Sequence, residues 1–203
     1  MRTPPLVTRW RCSAGNIRGH GRRADLALRI CESSSVFVTN HALSGVVIGR
    51  MLNRHPVAAF IVGVGSHLVM DTFTHWGCDM RAPGGAELFL TAAKRDGMLG
   101  LLTMAAGVLT VDKRARPATE AAMTGAVLLD LDKPLLHFFS WNPFPVSVQR
   151  LHQRVQNESP DGLANEIRFG TGLAAFDLVM TVMFRRRAAS LHNGHVDATN
   201  TCS

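Results

Sequence analysis

One apolar run carries three polar side chains at helical spacing. From Pro56 to Trp76 the chain is almost wholly apolar, and His67, Asp71 and His75 interrupt it at i, i+4 and i+8. On a helix, residues four apart share a face. The spacing therefore predicts two imidazoles and a carboxylate along one stripe of an apolar helix. A buried carboxylate is costly unless compensated, and a buried imidazole needs hydrogen-bond partners. A divalent cation such as Zn, Mn or Fe satisfies both side-chain types. Positions i and i+8 lie about 12 Å apart along the axis, so one ion cannot hold all three. One neighbouring pair is expected to bind, with the third residue acting as a base, an outer partner or a ligand to a second ion.

The chain of 203 residues is long enough for one domain with a real core. Its net charge of +7 suggests nucleic acid until the charge is divided along the chain. Residues 1–35 hold seven Arg against Asp25 and Glu32, and Arg185, Arg186 and Arg187 outnumber Asp197. The segment 36–184 balances at zero. A basic excess confined to the ends reads as solvated tails, and no specific nucleic-acid partner is expected. There is no Tyr and no aromatic-studded basic strand to stack bases.

The four cysteines, Cys12, Cys31, Cys78 and Cys202, form no C-x-x-C pair. That excludes a zinc finger and a disulfide framework and fits a reducing compartment. Residues 1–35 lack the apolar centre of a signal peptide. They are expected to be a basic, disordered leader, or to precede the true start. The expected organisation is leader 1–35, a single helical domain 36–187 and a polar disordered tail 188–203.

Thr39 or Asn40 suits an N-cap for a first helix from His41 to about Asn53. Pro56 suits the first turn of the second, which is expected to reach Trp76. Further helices are expected over 87–111, 118–131 and 163–184, with a short apolar piece at 135–139. The stretch 152–161 is expected to be a polar, solvated loop. No repeat, no alternating strand and no glycine-rich phosphate loop is present. The class is all-α, an up-and-down bundle of about five apolar helices.

The apolar cores are shorter than the ~20 residues that span a bilayer. Yet Arg50 and Arg54, then Lys113, Arg114 and Arg116, then Arg185 to Arg187 all fall at one end if the helices alternate. Lys94 and Arg95 are the exception. That order follows the positive-inside rule and favours a membrane-embedded or membrane-associated bundle over a soluble one. The same alternation gathers His41, Asp71, His75, Asp96, Asp130, Asp132 and Glu166 at the opposite end. Bundles build metal sites from facing helices in this way.

Each candidate has an ordinary alternative. His75 also suits a helix C-terminus, and His41 a first turn. Asp130 and Asp132 also suit a turn before Pro134. His137, among Leu136, Phe138 and Phe139, reads as a core histidine, and His152, Gln156 and Glu158 as solvated loop residues. Asp177 in an apolar helix is expected to pair with another helix.

Two segments resemble a known family. Thr39-Asn40-His41-Ala42-Leu43-Ser44-Gly45 is similar to the T-H-x-x-x-G segment of the bacterial inner-membrane metal-dependent hydrolases, a group with a LexA-regulated member. Gly65-Ser66-His67-x-x-x-Asp71-x-x-Thr74-x-x-Gly77, with Pro83 beyond, resembles their S-H-x-x-x-D-x-x-T-x-x-G segment. Asp130-Leu131-Asp132-Lys133-Pro134 is similar to their D-x-D-H-P segment, with Lys133 in place of His and a different order along the chain. No R-G-x-T-H segment is found. The resemblance spans roughly 39–83 and implies a helical protein of the bacterial inner membrane with a hydrolytic metal site. It carries over to His41, His67 and Asp71.

The resulting expectation is a membrane metal-dependent hydrolase acting on an ester or phosphoester in a small-molecule or lipid substrate. His67 and Asp71 hold a Zn, Mn or Fe ion, His41 or Asp130 completes the shell, and His75 or Glu166 serves as general base. The alternative is a non-catalytic helical membrane protein whose polar residues fix its packing. Oligomeric state is left open.

Overall fold

In the computed structural model the described residues are 37–77, 83–159 and 161–200, and they are mostly helical. The basic leader 1–35, Cys78, the last three residues and the side chains of His137, Arg185 and Arg187 lie outside that description. The order is α1 (Phe37–Met51), α2 (Pro56–Asp71), β1 (His75–Trp76), α3 (Gly85–Thr110), α4 (Arg116–Val127), a 3-10 turn (Leu128–Leu131), α5 (Asp132–Phe139), α6 (Val146–Val155), β2 (Glu158–Ser159) and α7 (Leu163–Asn200).

Helix α4 sits at the centre. It is built from small residues, and Ala118, Thr119, Ala122, Met123, Gly125 and Ala126 are all buried. Small side chains let helix axes approach closely, so that backbone packs on backbone. At Gly49 of α1 a Cβ would overlap Thr119 Cα, and at Gly63 of α2 it would overlap the Ala122 carbonyl. Ala59, Ala118 and Ala122 form the buried contact between α2 and α4, with Ile48 of α1 and Leu52 just beyond its end packed against it.

Polar contacts hold the two ends apart in kind. At one end Asp96 of α3 accepts hydrogen bonds from the backbone N–H of Val38 (2.6 Å) and Thr39 (3.3 Å) and from the Thr39 hydroxyl (2.9 Å). The cap on the first turn of α1 is thus a carboxylate from another helix, in place of the expected Thr39 or Asn40. An anion there also meets the positive end of the helix dipole. At the other end Arg50 Nε donates to Asp177 Oδ1 at 2.6 Å, and Arg50 Nη2 donates to Thr110 Oγ1 at 3.1 Å. The helix-to-helix partner expected for Asp177 is Arg50.

Four boundaries depart from the sequence expectation. α2 stops at Asp71, because Thr72, Phe73 and Thr74 turn the chain out of the helix into β1. β1 pairs in parallel with β2, placing His75 opposite Glu158, and Asn157 donates its N–H to the Asp71 carbonyl at 3.0 Å. The fourth helix ends at Val127, and a 3-10 turn leads into α5. The stretch expected as a solvated loop is instead α6 and β2. It is tied down by Asn157 Nδ2 donating to Thr74 Oγ1 at 3.0 Å. Finally, α7 continues to Asn200 through the expected disordered tail, where no Pro interrupts it.

Among the described residues one segment, Leu163–Phe184 of α7, is long and apolar enough to cross a membrane. Pro56–Asp71 is apolar but shorter. The fold is therefore all-α with two short paired strands.

Gly49→Leu and Gly63→Leu are each expected to cost about 3 kcal/mol or more, because the added atoms meet backbone that cannot yield. Gly172→Ala, where a Cβ meets open space, is expected to change stability by less than about 1 kcal/mol, in the stabilising direction. Thermal unfolding followed by circular dichroism reads both.

Candidate metal centre

Three imidazoles and two carboxylates converge between α1, α2, the 3-10 turn and α6. His41 comes from α1, His67 and Asp71 from α2, Asp130 from the turn after α4, and His152 from α6. His41, His67, Asp71 and His152 are buried, His67 completely. Their donor atoms form two overlapping sets, His41 with His67 and Asp130, and His67 with Asp71 and His152.

His67 fixes how these sets combine. Its Nδ1 lies 2.7 Å from the Ala126 carbonyl oxygen, which can only accept, so Nδ1 carries the proton and donates. Nε2 alone is left to face the cluster. One nitrogen serves one ion, so the two sets are alternative shells for one metal position.

The separations suit that centre. His67 Nε2 lies 3.1 Å from His152 Nε2 and 3.3 Å from Asp71 Oδ2. His152 Nε2 lies 3.0 Å from Asp71 Oδ2 and 3.9 Å from Asp130 Oδ1. His41 Nε2 lies 3.4 Å from Asp71 Oδ1 and 3.7 Å from Asp130 Oδ2. Two ligands with bonds of about 2.1 Å stand roughly 3.4 Å apart on a tetrahedral ion and roughly 3.0 Å apart on an octahedral one. The donor set, mixed imidazole and carboxylate, fits Zn, Mn or Fe.

Outer contacts orient two of the three imidazoles, as they do around metal-bound histidines, whereas the buried Nδ1 of His41 has no hydrogen-bond partner among the described residues. The Ala126 carbonyl holds His67, and the Asp132 carboxylate lies 3.7 Å from His152 Nδ1. The His41 ring stacks on that of His67 with centroids 4.1 Å apart. Asp130 and Asp132 thus divide their work, one facing the centre and the other backing His152. Lys133 stands where the resembled family carries His. Its ammonium lies 2.9 Å from Glu158 Oε1 and 3.9 Å from Asp130 Oδ1. Burial opposes its charge, but those carboxylates outweigh burial and raise its pKa.

The four ligands expected from the sequence, His41, His67, Asp71 and Asp130, are brought together. The two expected bases are not part of the converging set. His75 sits on β1, its Nδ1 3.0 Å from the Phe73 carbonyl oxygen. Glu166 is buried, and its Oε2 accepts from Asn40 Nδ2, beside His41 in the chain. The i+8 position leaves the stripe because α2 ends one turn earlier.

His152 joins the cluster although the sequence reads it as a solvated loop residue. The stretch that follows it is polar, and nothing at short range links it to His67. The available signal is helical: Val148, Leu151, His152 and Val155 share a face of the amphipathic segment Val146–Val155. Comparison with protein-family models, curated proteins and solved structures returned no match.

Burial alone would lower the pKa of His152, but the carboxylates of Asp132 and Asp71, with the charge of Asp130, outweigh it and raise it to about 9. Below that value the metal-free ring keeps a proton that an incoming ion must displace. Affinity for Zn is therefore expected to climb by roughly tenfold per pH unit through this proton as pH rises toward 9, and to flatten above it. Competition titration against a chromophoric chelator across that range measures it. In His152→Ala this pH dependence should disappear along with most of the affinity.

Proposed function

We propose that the chain is a metal-dependent hydrolase of the bacterial inner membrane, related to the hydrolases it resembles. The observation that carries the reading is the convergence of five imidazole and carboxylate side chains, in two three-residue sets that share His67 and each stand at one-ion spacing, in a largely buried site. Five such groups in contact have little reason to share a buried volume without a cation.

A bound divalent ion would polarise the scissile group and lower the pKa of a water toward 7. His41, His67 and His152 would hold it as neutral nitrogens, with Asp71 supplying charge. Asp130 lines both the cluster and the neighbouring cavity. Its second oxygen is therefore placed to take the proton of the attacking water. The water oxygen would bond to the acyl carbon or phosphorus as the ester C–O or P–O bond breaks. The proton then passes to the departing alkoxide, which leaves as the alcohol.

Exposed apolar faces support the membrane part of the reading. Val57 and Ile61 on α2, Leu109 on α3, and Leu178 and Val179 on α7 are large and largely exposed. Soluble monomers seldom show such faces over several helices. The short helices would then form a bundle seated in the bilayer, its basic links on the cytoplasmic side and the centre near the opposite face.

A second reading has one observation in its favour. The Arg50–Asp177 pair joins α1 to α7 purely as a structural contact, and the histidine cluster would be another of the same kind in a non-catalytic membrane protein.

Elemental analysis of protein reconstituted with Zn, Mn or Fe separates the two. Near-stoichiometric metal in the wild type, lost in His67→Ala and Asp71→Ala while the helical content is kept, is the expected result. The losses should be at least about 10–100-fold in affinity, because each variant removes a direct ligand. A wild-type protein that retains none of the three metals, yet is destabilised by the same substitutions, would leave the packing role alone.

A further inference from the structure

A cavity of about 370 Å³ opens beside the centre, and Asp130 belongs to the walls of both. One wall is α3, whose residues Leu90, Ala93, Gly97 and Leu101 fall on a single helical face. Leu131 and Phe138 line the opposite side. The lining is largely apolar; Asp130 meets Lys133, itself paired with Glu158, at one place, and Lys94 and Asp96 of α3 also line the cavity. Small residues at 93 and 97 leave the space open, and at Gly97 a Cβ would meet nothing within 4 Å.

The mouth also has a character. Leu101 is 70% exposed and Phe138 60% exposed, although both line the cavity. Met98 and Leu102, beside Leu101 on α3, are exposed as well. The cavity therefore merges with a largely apolar surface, on which Lys94 is the exposed charge at its wall. A hydrophilic substrate would meet few partners across the apolar part of these walls and would lose its hydration there. An amphiphile matches both ends, with its hydrocarbon against α3 and its polar head at Asp130 and Lys133.

We propose that this cavity is the substrate site and that it takes one acyl chain of a membrane lipid, with the lipid's ester or phosphoester head at Asp130 and Lys133. The inference rests on the hydrolase reading above and names its substrate class. One chain is the occupant because the volume lies at the low end of the range for single-ligand pockets. The exposed rim lets the lipid enter sideways from the bilayer without passing through water.

Photolabelling in liposomes tests the site independently of turnover. The protein is reconstituted into phosphatidylcholine vesicles holding a trace of phosphatidic acid with a diazirine at the tail end, irradiated, and mapped by peptide mass spectrometry. The exposed residues Leu178 and Val179 of α7 report background labelling by bulk lipid. Labelling of α3 between Leu90 and Leu101 and of Phe138 is expected to exceed that background by about tenfold. Gly97→Leu and Ala93→Phe, which fill the cavity, should each bring it down to background while bound metal is unchanged.

Cavity labelling no stronger than on α7, or unaffected by either filling variant in folded protein, overturns the acyl site. Metal content is read on the same samples. A protein that binds metal but fails the labelling test loses this inference and keeps the hydrolase reading. A protein that labels at the cavity but binds no metal keeps the acyl site and loses the hydrolase reading.

Discussion

Close approach of α4 to α1 and α2 is the constraint on which the rest depends. It is possible only because the facing positions are Gly49, Gly63 and a run of Ala and Thr. That approach does more than fill the core. It carries the Ala126 carbonyl to His67 Nδ1 and so decides which imidazole nitrogen faces the cluster. It also delivers Asp130, one turn beyond α4, to His41 across the bundle. A larger side chain at these glycines would shift the ligands as well as the packing.

The site joins elements far apart in sequence by unlike means. His67 and Asp71 come together through helical periodicity alone. His41 depends on the α1–α4 contact and on Asp96 holding the first turn of α1. His152 depends on β1 pairing with β2, since Asn157 bonded to the Asp71 carbonyl brings the end of α6 over the end of α2. The two short strands thus act as a clip that closes the cluster. Without a cation the group would rest on protons shared between imidazoles and carboxylates, an arrangement sensitive to pH and to the loss of any member. The proposed ion removes that dependence and gives each nitrogen a lone-pair partner.

The helix caps and ion pairs sort by end. Asp96, Glu166 and the cluster lie toward the start of α1, and Arg50, Thr110 and Asp177 toward its end. This matches the sorting expected from alternating helices, and it gives the bundle a polar axis. An orientation in a bilayer and a substrate reached from its apolar phase both follow from that axis within the proposed function.

The sequence by itself determined the helices, the pairing of His67 with Asp71 and the gathering of His41 and Asp130 near them. Periodicity, proline at a first turn and the up-and-down order of short links are local rules, and they need no long-range information. Tertiary structure decided the rest. It ended α2 at Asp71, turned His75 out of the stripe and folded a polar stretch into α6. It gave the cap of α1 to Asp96 and kept Glu166 on Asn40. Above all it supplied His152, whose partners His67 and Asp71 lie more than eighty residues away. Contacts of that separation are set by which backbones can approach. Here that depended on small residues in α4 and on two short strands that carry no alternating pattern for a sequence to display.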